Sequence, residues 1–80
     1  MHYVYLIQSV PFPLGHYVGE TSDLRTRLEQ HNQGKSKYTR PYAPWQLVWY
    51  AGFASRDRAE DFERYLKSGS GKTFLKRHFL

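Results

Sequence analysis

Apolar and polar positions along the chain divide it into six segments of regular structure. Short runs rich in aromatic and β-branched residues predict three strands, at 2–8, 16–20 and 46–53. Apolar residues at helical spacing, each run preceded by residues that favour a helix start, predict three helices, at about 23–33, 55–67 and 72–79. The predicted order is therefore β-β-α-β-α-α.

Turn-forming residues separate these elements. The seven residues of segment 9–15 include two prolines and a glycine, and a connection this short suits an antiparallel hairpin better than a parallel crossover. Residues 34–45 form a basic loop with prolines, and residues 68–71 (Ser-Gly-Ser-Gly) are expected to end the second helix before the last one begins. We predict an α+β fold with one small three-stranded antiparallel sheet flanked by helices. The pattern leaves open which edge of the hairpin pairs with the third strand.

Length and composition narrow the class of protein. Eighty residues predict a single domain over 1–80 with a modest core, and the lack of cysteine excludes disulfides and thiolate zinc sites. No apolar stretch approaches the ~20 residues that cross a bilayer. The first residues also lack the features of a signal peptide, so we expect a cytoplasmic protein without a membrane partner. The net charge of +5 favours a polyanionic partner such as DNA or RNA, although a merely soluble basic protein fits equally well.

The first predicted helix carries an arginine and a histidine on or near its apolar face. At ~100° per residue, His31 shares the face of Leu24 and Leu28, Arg27 lies at the edge of that face, and Arg25 lies on the opposite flank. A guanidinium at the edge of a buried face is costly unless it meets an anion, so Arg27 is a candidate phosphate contact. The alternatives are an arginine that reaches out to water and a histidine that merely packs.

The second predicted helix carries a carboxylate beside its apolar stripe. Ala59, Phe62 and Leu66 form the stripe, and Glu63 lies next to it. Acidic side chains are rarely buried without a partner, so Glu63 needs a cation. A salt bridge to an arginine or lysine would supply one. A divalent metal ion held by a single carboxylate, water and phosphate oxygens is the alternative.

Tyrosines in the first two predicted strands are further candidates. Strand alternation places Tyr3, Tyr5 and Ile7 on one face, and it places Tyr17 with Gly19. A hairpin could bring Tyr5 near Tyr17, but the pattern does not define the register, and strand tyrosines most often serve packing. Gly19 leaves room for a ligand or another backbone, and we expect it to contribute to substrate binding.

The basic loop has a composition that suits a phosphate backbone with a stacked base, although a solvated surface loop is the equal alternative. Its candidate substrate contacts are Lys35, Lys37, Tyr38, Thr39 and Arg40. The later basic residues are expected to be mostly ordinary surface residues: Lys67, Lys72, Lys76 and Arg77.

Taken in order, these segments resemble the GIY-YIG nuclease superfamily over nearly the whole chain. Residues 3–5 (Tyr-Val-Tyr) stand where the family has Gly-Ile-Tyr, and residues 17–19 (Tyr-Val-Gly) stand for Tyr-Ile-Gly. Residues 59–75 resemble the helix that carries the metal-binding glutamate of the family. Tyr3 departs from the pattern because it replaces a glycine. The resemblance is greatest to small stand-alone bacterial proteins related to the N-terminal nuclease domain of the repair excinuclease.

The resemblance implies a role for each candidate residue. Tyr5 or Tyr17 would help to activate the attacking water, and Arg27 would stabilise charge on the scissile phosphate. His31 would assist by hydrogen bonding or proton transfer, and Glu63 would hold one Mg²⁺ or Mn²⁺ ion. The expected function is therefore a metal-dependent endonuclease that hydrolyses DNA phosphodiester bonds, in repair or recombination. RNA stays open as a substrate.

Two other functions fit the same residues. One is a non-catalytic nucleic-acid-binding module, and the other is a component of a larger nuclease complex in which a protein partner supplies specificity. A pure binder gains nothing from a carboxylate aimed at phosphate, so Glu63 favours the enzyme.

Overall fold

The protein folds into three strands and three helices in the predicted order. A computed structural model describes all residues, 1–80. The elements are β1 (His2–Ser9), β2 (His16–Thr21), α1 (Leu24–Asn32), β3 (Trp45–Phe53), α2 (Arg56–Leu66) and α3 (Gly69–His78). The α+β class is confirmed, and a short 3₁₀ turn at Arg40–Tyr42 interrupts the basic loop. None of the helices combines the length and apolar character that crossing a bilayer requires.

The three strands form one antiparallel sheet in the order β2-β1-β3. The predicted hairpin is present, and β3 pairs with β1, so β1 is the central strand. In the β1–β2 register Tyr5 lies opposite Gly19 and Ile7 lies opposite Tyr17. Because opposed residues share a face of the sheet, both tyrosines lie on one face.

Helices cover the two faces of the sheet unequally. Val4 and Leu6 belong to the main core, which packs against residues of α2 and α3. On the other face Tyr5 and Ile7 form a smaller cluster with Trp45, next to α1. This smaller cluster lies beside the candidate chemistry, and His31 is the only fully buried residue of α1.

The start of α3 differs from the prediction. Residues 68–71 were expected to separate the second helix from the third, and the break is present, but α2 ends at Leu66 and α3 already begins at Gly69. The Ser68 hydroxyl caps it by accepting from the Gly71 backbone N–H at 3.2 Å. A Cβ on Gly71 would overlap the backbone of Tyr65 and Leu66, so the glycine lets α3 pack directly against the end of α2.

We expect Gly71→Ala to lower the free energy of unfolding by about 2–3 kcal/mol, because the added methyl group forces two backbones apart. Chemical denaturation measures the loss. Gly69→Ala is the matched control, since a Cβ there meets nothing within 4 Å and alanine favours the helix. Equal losses in both variants would show that the crossing of α2 and α3 does not depend on Gly71.

Candidate active site

A buried chain of hydrogen bonds joins three distant parts of the sequence. The Tyr5 hydroxyl oxygen lies 2.8 Å from Nε2 of His31, and Nδ1 of His31 lies 2.7 Å from the Thr39 hydroxyl oxygen. Tyr5 comes from the central strand, His31 from the last turn of α1, and Thr39 from the basic loop. All three residues are at most 2 % exposed. The imidazole is therefore held at both nitrogens, away from bulk water.

The surroundings of Thr39 assign the tautomer of the imidazole. The Thr39 hydroxyl lies 3.5 Å from the Ser36 carbonyl oxygen, which can only accept a hydrogen bond. With that hydroxyl donating to Ser36, the His31 Nδ1–H donates to Thr39 and Nε2 accepts from the Tyr5 hydroxyl. The Trp45 indole N–H donates to the Thr39 carbonyl at 2.9 Å and holds the loop in place. Thr39 therefore orients His31 toward Tyr5.

Burial keeps the Tyr5–His31 pair uncharged. Desolvation raises the pKa of Tyr5 to about 12, although Arg27 opposes that shift. Desolvation also lowers the pKa of His31 to about 4, and the positive charge of Arg27 adds to the effect. At neutral pH the phenol keeps its proton and the imidazole is neutral, which agrees with a hydrogen bond from Tyr5 to Nε2. The negative charge of Glu63 also raises the Tyr5 pKa, so this carboxylate acts on the same site.

The low pKa of His31 predicts destabilisation by acid. Between its ordinary value of 6.5 and about 4, the unfolded chain binds a proton at this histidine that the folded chain does not bind. The free energy of unfolding should therefore fall by about 2–3 kcal/mol as the pH drops through this range. Denaturation curves at several pH values measure it, with His31→Gln as the control. The prediction is wrong if His31→Gln has the same pH dependence as the unaltered protein.

Arg27 brings an unneutralised positive charge to this pair. Its side chain is half-buried, Nη1 donates to the Gln30 amide oxygen at 3.1 Å, and it forms no salt bridge. Arg25 is exposed, as its position on the helical face predicts. Arg27 is thus the guanidinium that is free to bind an anion beside Tyr5.

Glu63 reaches the site from α2, where its carboxylate pairs with a lysine. Oε2 lies 3.5 Å from Nζ of Lys67, one helical turn later, and the Glu63 side chain is 22 % exposed. The same Nζ lies 5.5 Å from the centre of the Tyr17 ring. The salt bridge, which was one of the two alternatives for Glu63, is therefore present. It is long and accessible to water.

Tyr17 stands between the buried pair and the surface. Its ring centre lies 5.3 Å from that of His31 and 6.5 Å from that of Tyr5. The side chain is half-buried, and its hydroxyl makes no hydrogen bond within the protein. The structure thus brings both candidate tyrosines to His31, and only Tyr5 has a basic partner for its hydroxyl proton.

Two residues that were predicted to contact substrate are buried and contact other residues of the protein instead. Thr39 is 1 % exposed and lies behind His31, so its hydroxyl does not face solvent. Gly19 is also buried, and the Tyr5 ring fills the space above it, where a Cβ would overlap the phenol. Gly19 was predicted to leave room for a ligand or another backbone, but the group that fills the space is the Tyr5 side chain.

The rest of the basic loop is on the surface. Tyr38 is 83 % exposed, and the lysines and Arg40 of the loop are exposed as well. The Arg40 Nε–H donates to the Gly34 carbonyl at 2.8 Å and closes the start of the loop. Tyr38 and Tyr17 line one shared depression, so the exposed ring lies close to the candidate site.

Sequence reasoning missed the residues that hold His31 in place. The Asn32 side chain accepts from the Trp45 backbone N–H at 2.6 Å and donates to the Trp45 carbonyl at 3.2 Å. This pair of bonds ties the end of α1 to the start of β3. The sequence signal was Trp45 itself, because a buried indole N–H normally finds an acceptor, and here it finds Thr39.

Glu63 is the side chain of this cluster that suits a divalent cation. No three His, Cys, Asp or Glu side chains converge anywhere in the protein to form a complete metal site. Mg²⁺ commonly takes one or two carboxylates and completes its shell with water and phosphate oxygens. A single half-buried carboxylate fits a metal ion that arrives with a phosphate, and it does not fit a structural metal.

The fold and this cluster define a small nuclease-type domain in which the charges of an arginine and a carboxylate act on one buried tyrosine–histidine pair. Residues 1–77 match the family model described as the GIY-YIG catalytic domain. The chain therefore belongs to the GIY-YIG family.

Similar proteins carry the name UPF0213. One, from Streptococcus pneumoniae serotype 4, is 47% identical over 53 residues, which cover 65% of this chain and 54% of the relative. Another, from Haloquadratum walsbyi, is 40% identical over 68 residues, covering 84% of this chain and 74% of the relative. The chain thus spans about half the length of the pneumococcal relatives that it matches.

A solved structure supports the fold. The solution NMR structure of a UPF0213 protein from Bacillus halodurans matches with a TM-score of 0.55 and 34% sequence identity. The match covers 95% of this chain and 82% of that chain. The similarity therefore extends over nearly the whole chain.

Proposed function

We propose that the protein is an endonuclease that hydrolyses DNA phosphodiester bonds with the help of Mg²⁺ or Mn²⁺. One observation carries the proposal: the buried Tyr5–His31 hydrogen bond lies beside the unpaired Arg27, and Glu63 acts on it from another helix. These contacts support the proposal because they put groups suited to proton transfer, phosphate binding and cation binding around one tyrosine. Membership in the GIY-YIG family supports the same class of reaction.

In the proposed reaction each of these residues has a separate role. Arg27 binds the scissile phosphate and opposes the negative charge that develops on it. The attacking water gives a proton to the Tyr5 oxygen while the Tyr5 proton passes to Nε2 of His31. The new P–O bond forms as the bond to the leaving oxygen breaks, and that oxygen takes a proton from solvent. A metal ion at Glu63 would polarise the phosphate.

The choice of DNA as substrate rests on charge and on the family. The net charge of +5 and the exposed basic loop suit a polyanion, and RNA is the alternative to be tested. We also propose a setting in repair or recombination, in which a protein partner supplies the specificity that this small domain lacks.

Cleavage assays on labelled DNA test the proposal. The substrates are single strands, duplexes and branched duplexes, with an RNA strand beside them, each incubated with Mg²⁺, Mn²⁺ or EDTA. We expect nicking of DNA that requires the metal ion and disappears in Glu63→Gln, which keeps the size of the side chain. Binding without cleavage under every metal ion would contradict the proposal and would favour a non-catalytic binding module.

A further inference from the structure

A basic groove lies next to the candidate site, between β2 and α3. Its volume is about 300 Å³. The floor is apolar, with Val18, Leu66 and Leu75 all nearly buried. The rim is basic, and it consists of His16, Lys67, Lys72 and Lys76, with Tyr17 at one side. The sequence alone suggested that these lysines were ordinary surface residues, but the fold brings them together.

The close crossing of α2 and α3 builds this groove. Lys67 follows the last residue of α2, and Lys72 lies in the first turn of α3. Because Gly71 lets the two helices touch, the two lysines come to rim the same depression. Lys76 follows Lys72 by four residues and so projects from the same face of α3.

The positive charge of the groove is poorly compensated inside the protein. No acidic residue lines it, and neither Lys72 nor Lys76 has a carboxylate within 4.0 Å. Only Lys67 is paired, with Glu63 at 3.5 Å. Like charges around one concave surface repel each other unless an anion lies between them. The groove therefore suits an anionic ligand.

The groove adjoins the candidate active site through two residues, Tyr17 and Lys67. Tyr17 lines the groove and also packs against His31, with 5.3 Å between the ring centres. Lys67 rims the groove and pairs with Glu63. A second depression shares His16 and Lys76 and extends the basic surface toward the hairpin loop. A strand bound beside the Tyr5–His31 pair would therefore reach this surface past Tyr17.

We propose that the groove of His16, Lys72 and Lys76 binds backbone phosphates of the nucleic-acid strand on one side of the scissile bond. This inference rests on the proposed function, because it concerns the same strand. The contacts are to phosphate, so they position the strand without reading its sequence. The apolar floor lies under the aliphatic stems of the lysines and keeps their ammonium groups at the rim.

The test compares two variants that each remove two positive charges. Lys72→Ala/Lys76→Ala removes charge from the groove. Arg58→Ala/Arg77→Ala removes it from exposed positions that line no depression. Fluorescence anisotropy with a labelled 20-nucleotide DNA strand and the matching duplex, both in EDTA, measures Kd at several salt concentrations. Circular dichroism confirms that both variants are folded.

We expect the lysine variant to bind about tenfold more weakly. The slope of log Kd against log salt concentration should also be smaller, by about one to two, because one or two phosphate contacts are lost. The arginine variant should bind nearly as the unaltered protein does. Equal weakening in both variants, or none in the lysine variant, would overturn the inference. Failure of the proposed function gives a different result, namely no cleavage by the unaltered protein. Binding that depends on the two lysines would, in that case, still show that the groove binds the nucleic-acid strand.

Discussion

Cleavage by Tyr5→Phe is expected to be about a thousandfold slower than cleavage by the unaltered protein, with DNA affinity nearly unchanged. The substitution removes only the hydroxyl that lies 2.8 Å from Nε2 of His31. In the proposed mechanism the attacking water can then no longer pass its proton on to the imidazole, while the phosphate contact proposed for Arg27 is kept. Single-turnover cleavage at saturating protein measures the rate, and binding in EDTA measures the affinity.

Tyr17→Phe is the matched control for this experiment. Its hydroxyl makes no hydrogen bond within the protein, so we expect a rate within about tenfold of normal. A reversed result, with Tyr17→Phe inactive and Tyr5→Phe active, would assign water activation to the outer tyrosine. Both variants should be assayed where they are fully folded, because Tyr5→Phe leaves a buried imidazole nitrogen without a donor, at a cost of about 1–3 kcal/mol.

Gly19→Ala is expected to lower the free energy of unfolding by about 3 kcal/mol and to abolish cleavage. A Cβ at this position would overlap the Tyr5 phenol, which is held by His31 and cannot easily move. The ring must shift, and the Tyr5–His31 hydrogen bond breaks. Chemical denaturation and the cleavage assay measure the two effects.

Gly52→Ala is the control for this loss of stability. It lies in β3 opposite Tyr3, and the nearest group to its Cβ is the Met1 sulfur, at the flexible end of an exposed side chain. We expect a loss of less than about 1 kcal/mol, because that side chain can move aside. If both glycine variants lose the same stability, the effect comes from strand glycines in general and not from the Tyr5 contact.

Local periodicity was sufficient to find most of the candidate site. Helical spacing placed His31 on the buried face of α1 with Arg27 at its edge, and the structure buries the first and half-buries the second. The same reasoning placed Glu63 beside the apolar stripe of α2, where it is 22 % exposed. These positions depend on the rotation per residue within one helix, which the sequence shows directly.

Helical and strand spacing did not predict which residues of different elements contact each other. Thr39 was predicted to contact substrate because it lies in a basic loop, but the loop turns inward and the hydroxyl meets His31. Gly19 was predicted to make room for a ligand, but the β1–β2 register puts Tyr5 over it. A loop conformation results from long-range packing, and the register of this hairpin depends on its turn geometry, which the sequence pattern left undefined.

The glycines of residues 68–71 illustrate the same limit. The composition of this segment is typical of a non-helical connection, and the sequence alone predicted such a connection over all four residues. The tertiary structure uses Ser68 as a helix cap and Gly71 as a point of close helix contact. That contact also brings Lys67 and Lys72 to one groove, so a feature of backbone packing creates the basic surface beside the site.

Local spacing and residue type were enough to establish the order of the elements and the α+β class, and the resemblance of the ordered segments indicated the family. They also identified Tyr5, Arg27, His31 and Glu63 as candidates. The folded chain was needed to show which of these residues meet, which tyrosine bonds the imidazole, and what holds that imidazole in place. Hydrogen bonds and burial depend on atoms brought together from distant segments, such as Tyr5 and His31, which lie 26 positions apart.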